Sequence, residues 1–167
     1  MTSVTVDLMI RADGRSSAGL GHVMRCIALA EQCVSRGGGA WLLSEALPDR
    51  VEEYCREVGI RRIQVASDSP DTEQVPRYCT QMSEEHGADP VCVLDGYDLG
   101  AGVRESVRSA GYALLVIDDN ADKSPYRVDM VVNQNVHARS ADYDVDADVE
   151  LLCGPAYHLL RAEIRAI

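Results

Sequence analysis

Within GRSSAGLGHVMRC, residues 14–26, two glycines, Gly19 and Gly21, lead into His22 and then Arg25. Glycines at the entrance to a helix let backbone N–H groups approach a ligand closely, and a helix N-terminus favours an anion. The same helix end disfavours an added proton on a histidine in its first turn, which keeps the imidazole in the form a general base needs. Arg11, Arg15 and Arg25 flank the stretch and would give a phosphorylated metabolite a locally positive pocket. A second arrangement fits equally: a turn requiring positive φ, closed by a capping histidine. GLGHVM is not a dinucleotide fingerprint, because G-x-G-x-x-G needs glycine where Met24 stands, and no Gly-Lys-Ser/Thr follows to make a P-loop.

Other polar side chains recur where apolar runs end: Asp13, Asp95 with Tyr97, Asp118 with Asp119, and Asn133 with Asn135. Strand exits are commonly polar, but the carboxyl edge of an open parallel sheet also carries its ligand crevice, and four similar ends favour that reading. Tyr97 either plugs a loop or reaches into the crevice with its phenol. Asp118 and Asp119 are adjacent on a strand end, so they point to opposite sides and, without a third ligand, support no metal. His86, His137 and His158 sit in polar or terminal segments that suit structural or surface roles.

The elements that must carry these residues follow from periodicity. VDLMIRAD (6–13) reads as a strand, and HVMRCIALAEQCVSRGG sets Val23, Cys26, Ile27, Ala30, Cys33 and Val34 on one helix face before a glycine stop. GAWLLS (39–44) is a strand, and a helix starts at Pro48. RRIQVA (61–66) is a weaker strand, followed by a polar loop and a helix after Pro76. Further strands are predicted at 89–97, 112–119, 130–135 and ELLCG, with a helix at 99–110, an Asp-rich loop at 142–148, and YHLLRAEIRAI closing the chain as a helix. This alternation predicts one α/β domain with a Rossmann-like parallel sheet and helices on both faces.

Composition limits the partners. At 167 residues the chain suits a single domain, and with no Phe and one Trp its interior must be aliphatic. A net charge of −11 argues against nucleic acid and anionic membranes. The apolar runs are strand-length, and MTSVTVDLMIRAD has no basic segment before an apolar one, so a cytoplasmic protein is expected. The six cysteines form no CxxC or zinc-like spacing and read as free, buried thiols.

IRADGRSSAGLGHVMRCIALAE, VLDGY, VIDD, VNQN and LLCGPAYHLLRAEI fall in the order and spacing of a known family. The chain resembles the bacterial UDP-2,4-diacetamido-2,4,6-trideoxy-β-L-altropyranose hydrolases of pseudaminic acid biosynthesis. The resemblance implies a GT-B-like architecture of two Rossmann-like domains, of which this chain is the N-terminal half. It implies cleavage of the bond between the anomeric carbon and UDP by water, without metal or cofactor. On the matching motifs it makes His22 the base for water and Tyr97 a wall of the site. Gly19 and Gly21 fall near the diphosphate, and Asp13, Arg25 and Asn133 are further candidates for substrate binding. Such chemistry suits the residues, since water attacking an acetal carbon needs a positioned base and the departing UDP carries its own negative charge. The family continues after LLR-x-E into a nucleotide-binding domain, expected here as a partner. Two other readings stay open: half of a related glycosyltransferase, and a non-catalytic sugar-nucleotide-binding domain.

Overall fold

The computed structural model describes residues 5–14, 19–122 and 125–165. Its apolar runs form strands β1 (Leu8–Ala12), β2 (Ala40–Ser44), β3 (Arg61–Gln64), β4 (Val91–Asp95), β5 (Leu114–Ile117), β6 (Met130–Asn133) and β7 (Glu150–Cys153). Helices α1 (Gly21–Ser35), α2 (Asp49–Glu57), α3 (Asp71–His86) and α4 (Ala101–Ser109) join the first five strands, and a short α5 (Ala162–Arg165) comes last. The seven strands pair in parallel in the order β3-β2-β1-β4-β5-β6-β7. This is the Rossmann-like sheet expected from the alternation of elements.

Side chains alternate across the sheet with the period of two that strand geometry imposes. Met9, Trp41, Leu43, Cys92 and Leu94 join a core beneath Val75, Cys79 and Met82 of α3 and Val107 of α4. Ile10, Ala12, Leu42 and Val93 pack on the other face against Val23, Cys26, Ile27 and Ala30 of α1 and Cys55 of α2. Both faces are therefore covered, as a wholly parallel sheet requires.

The strand order decides where a crevice can open. The chain begins in the middle of the sheet, builds outward through β2 and β3, and then returns to lay β4 on the other side of β1. At that switch point the connections leaving β1 and β4 diverge to opposite faces, and the carboxyl ends of the two strands are left flanking a gap.

Two segments differ from the sequence-based expectation. The third helix starts at Asp71 rather than after Pro76, which lies inside it. The buried set Val75, Cys79 and Met82 recurs at helical spacing, and this packing outweighs the one backbone bond that proline forfeits. Gln74 also fastens the helix to the preceding loop, donating to the carbonyls of Ala66 (3.0 Å) and Ser69 (2.6 Å). The closing segment is not one helix: a 3₁₀ turn at Pro155–Tyr157 is followed by irregular chain as far as α5. Side chains claim its backbone donors, with Leu159 N–H bonding Gln134 Oε1 and Ala162 N–H bonding Glu31 Oε2, each at 3.0 Å. No helix among the described residues is long and apolar enough to cross a membrane.

Candidate active site

His22 is the second residue of α1 and 8% exposed. Its Nδ1 lies 2.6 Å from Oδ1 of Asp95, the last residue of β4. Asp95 points to the α1 side because it follows Val93 by two residues, on the same face of the sheet. The pair thus joins the first helix after β1 to the end of the neighbouring strand, across the switch point.

Asp95 is saturated with donors. Besides His22, its Oδ1 accepts from Arg25 Nη2 at 2.7 Å, and its Oδ2 accepts from Arg25 Nε at 2.6 Å and from the Cys26 thiol at 3.4 Å. Burial opposes ionisation of Asp95, but the hydrogen bonds and charges of Arg25 and His22 outweigh it and hold the carboxyl below the ordinary carboxylate range. An ionised carboxylate cannot donate, so the proton in the short contact sits on His22 Nδ1. Arg25 Nη2 lies 3.0 Å from the same nitrogen because both donors converge on one oxygen. Nε2 of His22 hydrogen-bonds to none of the described residues, which leaves its lone pair for an outside proton.

Arg25 braces this arrangement. Its Nη1 and Nη2 also reach Asp119, at 2.7 and 2.9 Å, so one guanidinium ties the ends of β4 and β5 to α1. Burial disfavours its charge, but the two carboxylates reverse that and raise its pKa further. Burial, with Asp95 adding to it, pushes the Cys26 thiol well up, so it stays a neutral donor.

A cleft of about 210 Å³ opens beside the pair, bordered by Arg11 of β1 and Asp13 just after it, Asp95 from β4, and Gly96 and Tyr97 beyond it. The Tyr97 ring meets the His22 ring edge-on, centroids 4.9 Å apart, while remaining 60% exposed. Asp13 holds the cleft wall by accepting the Glu45 N–H at 2.8 Å and pairing with Arg11 Nη2 at 2.8 Å. Gly19 has φ +74°, a left-handed conformation that favours glycine, and Gly21 opens α1; a Cβ at either position would meet none of the described residues within 4 Å. Among the described residues the helix entrance at Leu20 carries no side-chain cap, and the first turn has no acidic residue. Arg15 lies outside the described residues.

The sequence-predicted residues therefore divide. His22, Tyr97 and Asp13 share the cleft, with Gly19 and Gly21 at the adjoining helix entrance. Arg25 stands behind Asp95 rather than in the lining, with Nε, Nη1 and Nη2 all on carboxylates. Asn133 shares the sheet edge but ends β6, two strands from β4, where it donates to Tyr143 Oη at 2.9 Å beside Asp118. Asp118 and Asp119 do part to opposite sides, the first accepting from Tyr126 and Tyr143, the second from Arg25. In the sequence Asp95 stands out as one of several polar strand ends with nothing to pair it to His22, and Asp71 and Glu45 carry no signal of their own. The available signal was the exit of VCVLD from a fully apolar run, which marks Asp95 as a buried carboxylate needing a partner.

No protein-family model matches the chain. It is 24% identical over 159 residues to the UDP-2,4-diacetamido-2,4,6-trideoxy-β-L-altropyranose hydrolase of Campylobacter jejuni, a match covering 93% of this chain and 52% of that protein. Among solved structures, MurG of Acinetobacter baumannii superposes with a TM-score of 0.52 at 15% identity, covering 83% of this chain and 44% of MurG. The Cj0485 dehydrogenase structure superposes with a TM-score of 0.47 at 12% identity. The MurG likeness bears on fold and agrees with the parallel sheet described above. This chain spans about half the length of the curated relative it matches.

Proposed function

We propose that this chain is the water-activating half of a UDP-sugar hydrolase that releases UDP and a free diacetamido-trideoxy sugar. The observation that carries the proposal is the His22–Asp95 pair, 2.6 Å apart on the edge of the switch-point cleft. Similarity over 93% of the chain to a hydrolase of that class adds the substrate.

In this reading Nε2 of His22 takes a proton from water as the water oxygen bonds to the anomeric carbon. The bond between that carbon and the diphosphate oxygen breaks, and its electron pair leaves with UDP. Asp95 keeps the ring in the required tautomer and stabilises the imidazolium that forms. The backbone N–H groups of the uncapped helix entrance after Gly19 stabilise the departing anion. Tyr97 walls the reacting centre against His22. Uridine is held by a second domain of the whole protein, so this chain alone turns over slowly because the remote binding energy is missing.

The test is UDP release and reducing-sugar formation by this chain joined to the remaining half of the Campylobacter relative. Equal yields of UDP and free sugar are expected, with His22→Ala slower by about a hundredfold or more, the scale of a lost general base. A glycoside product, or a His22→Ala variant at the wild-type rate, overturns the proposal.

A further inference from the structure

We propose that Asp119 is a positioning residue for the base: acting through Arg25, it cancels a positive charge beside His22, so that the imidazole can accept a proton. The inference rests on the reading of His22 as the base and names the group that makes that base workable.

Asp118 and Asp119 leave the end of β5 for opposite sides, and Asp119 takes the side of α1. Its Oδ1 accepts from Arg25 Nη1 at 2.7 Å, and its Oδ2 from Arg25 Nη2 at 2.9 Å. The other flank of the same guanidinium, Nε and Nη2, holds Asp95 at 2.6 and 2.7 Å. Two bidentate carboxylates thus fix the plane of Arg25, whose side chain is 11% exposed. From just beyond β6, Asn135 Nδ2 donates to Asp119 Oδ1 at 3.1 Å and steadies that carboxylate in turn. Hydrogen bonds therefore run without a break from Asn135 through Asp119, Arg25 and Asp95 to His22.

Charge gives the far end of this chain its role. Arg25 Nη2 lies 3.0 Å from Nδ1 of His22, and a fixed cation so near an imidazole opposes its protonation. Asp95 alone would neutralise Arg25 and leave nothing over for the imidazolium. With Asp119, two carboxylates face one guanidinium, and the group carries one net negative charge. A proton arriving on Nε2 then brings the cluster to neutrality, where without Asp119 it would leave a net positive charge in a largely buried site. Burial opposes ionisation of Asp119, but Arg25 and Asn135 outweigh it and hold the carboxyl below the ordinary range. Cys26 and Tyr97 also stand near His22, and across the cleft lie Arg11, Asp13, Glu45, Asp71 and Asp98. Asp95 and Asp119 are the carboxylates bonded to the guanidinium that touches the imidazole.

The test is an NMR titration of the His22 imidazole in the chain, its signal assigned among the four histidines against His22→Ala. Asp119→Asn removes the charge and keeps the shape, and its midpoint is expected about one pH unit below that of the wild type. Asp122→Asn makes the same charge change at an exposed position three residues on, and should shift the midpoint by less than about 0.2 unit. Should Asp119→Asn fail to fold, Asp119→Ser leaves an oxygen for Arg25 and should lower the midpoint in the same way. In the assembled two-half protein, Asp119→Asn should carry the acid limb of the UDP-release profile to lower pH and reduce kcat about fivefold, as expected of a weaker base. Equal midpoints in variant and wild type, a midpoint raised by the substitution, an equal shift in Asp122→Asn, or an imidazole that takes up no proton in either chain overturns the inference. The titration needs no turnover: a lowered midpoint without UDP release would sink hydrolysis alone, and UDP release with an unmoved midpoint would sink this inference alone.

Discussion

His22 and Asp95, 73 residues apart in sequence, are joined by a 2.6 Å contact between Nδ1 and Oδ1 at the carboxyl edge of the sheet. That contact fixes which imidazole nitrogen carries the proton, and so which one would act as the base in the proposed reaction. Asp95→Asn removes the fixed acceptor and lets the amide donate to Nδ1, stabilising the wrong tautomer. UDP release by the assembled two-half protein should fall by about a hundredfold or more while its circular dichroism stays that of the wild type. A wild-type rate in this variant would reduce the pair to a structural contact.

Tyr97 should matter through its ring rather than its hydroxyl. The edge of the aromatic ring is what meets His22, and the residue is 60% exposed. Tyr97→Phe should therefore change UDP release by less than about tenfold, and Tyr97→Ala by more, with melting temperatures nearly unchanged because mostly exposed substitutions rarely exceed about 0.5 kcal/mol. A larger loss in Tyr97→Phe than in His22→Ala would show that the phenol, not the imidazole, handles the proton.

Arg25 should dominate the acid side of the stability profile. Burial disfavours ionisation of both Asp95 and Asp119, yet Arg25 draws both carboxyls below their ordinary range. A depressed folded pKa contributes stability above the unfolded value, about 3.9 for Asp, and that contribution is lost as pH falls through the folded value. Arg25→Met should destabilise the chain by about 3 kcal/mol at pH 7, because it leaves two partly or wholly buried carboxylates without their cation. In urea titrations the gap between wild type and variant should narrow as the pH drops below about 4. A gap that is constant with pH would mean that Arg25 acts by packing alone.

All six cysteines are free, and Cys26, Cys55, Cys79 and Cys92 are buried. Burial pushes the Cys55 thiol up to about 11, as it does Cys33, which reduces the reactive thiolate near neutrality. A thiol reagent at pH 8 should modify Cys153 first in the native chain and reach six equivalents only after unfolding in denaturant. Fewer than six in reduced, unfolded protein would indicate a modified or bridged pair.

Local patterning was enough to read much of this molecule. Alternating apolar runs and helix-period segments specified the α/β sheet, because burial of one stripe or both faces is written in spacing alone. The glycines before His22, the polar ends of β1, β4, β5 and β6, and the divergence of Asp118 from Asp119 follow from the same periodicities. What periodicity does not contain is which strands become neighbours. The return of the chain to set β4 against β1 brings Asp95 to His22, while Asn133, on an equally polar strand end, finishes two strands away beside Tyr143. Arg25 reads as a free cation next to a glycine turn until Asp95 and Asp119 converge on it from two strands. Pro76 and the closing segment go the same way: buried Val75, Cys79 and Met82 carry α3 through a proline, and Gln134 and Glu31 draw off backbone donors that a terminal helix would have used. In each case the deciding contact is with groups remote in sequence (for α3, the sheet core beneath its apolar stripe), and these tertiary contacts together outweigh the local backbone preference.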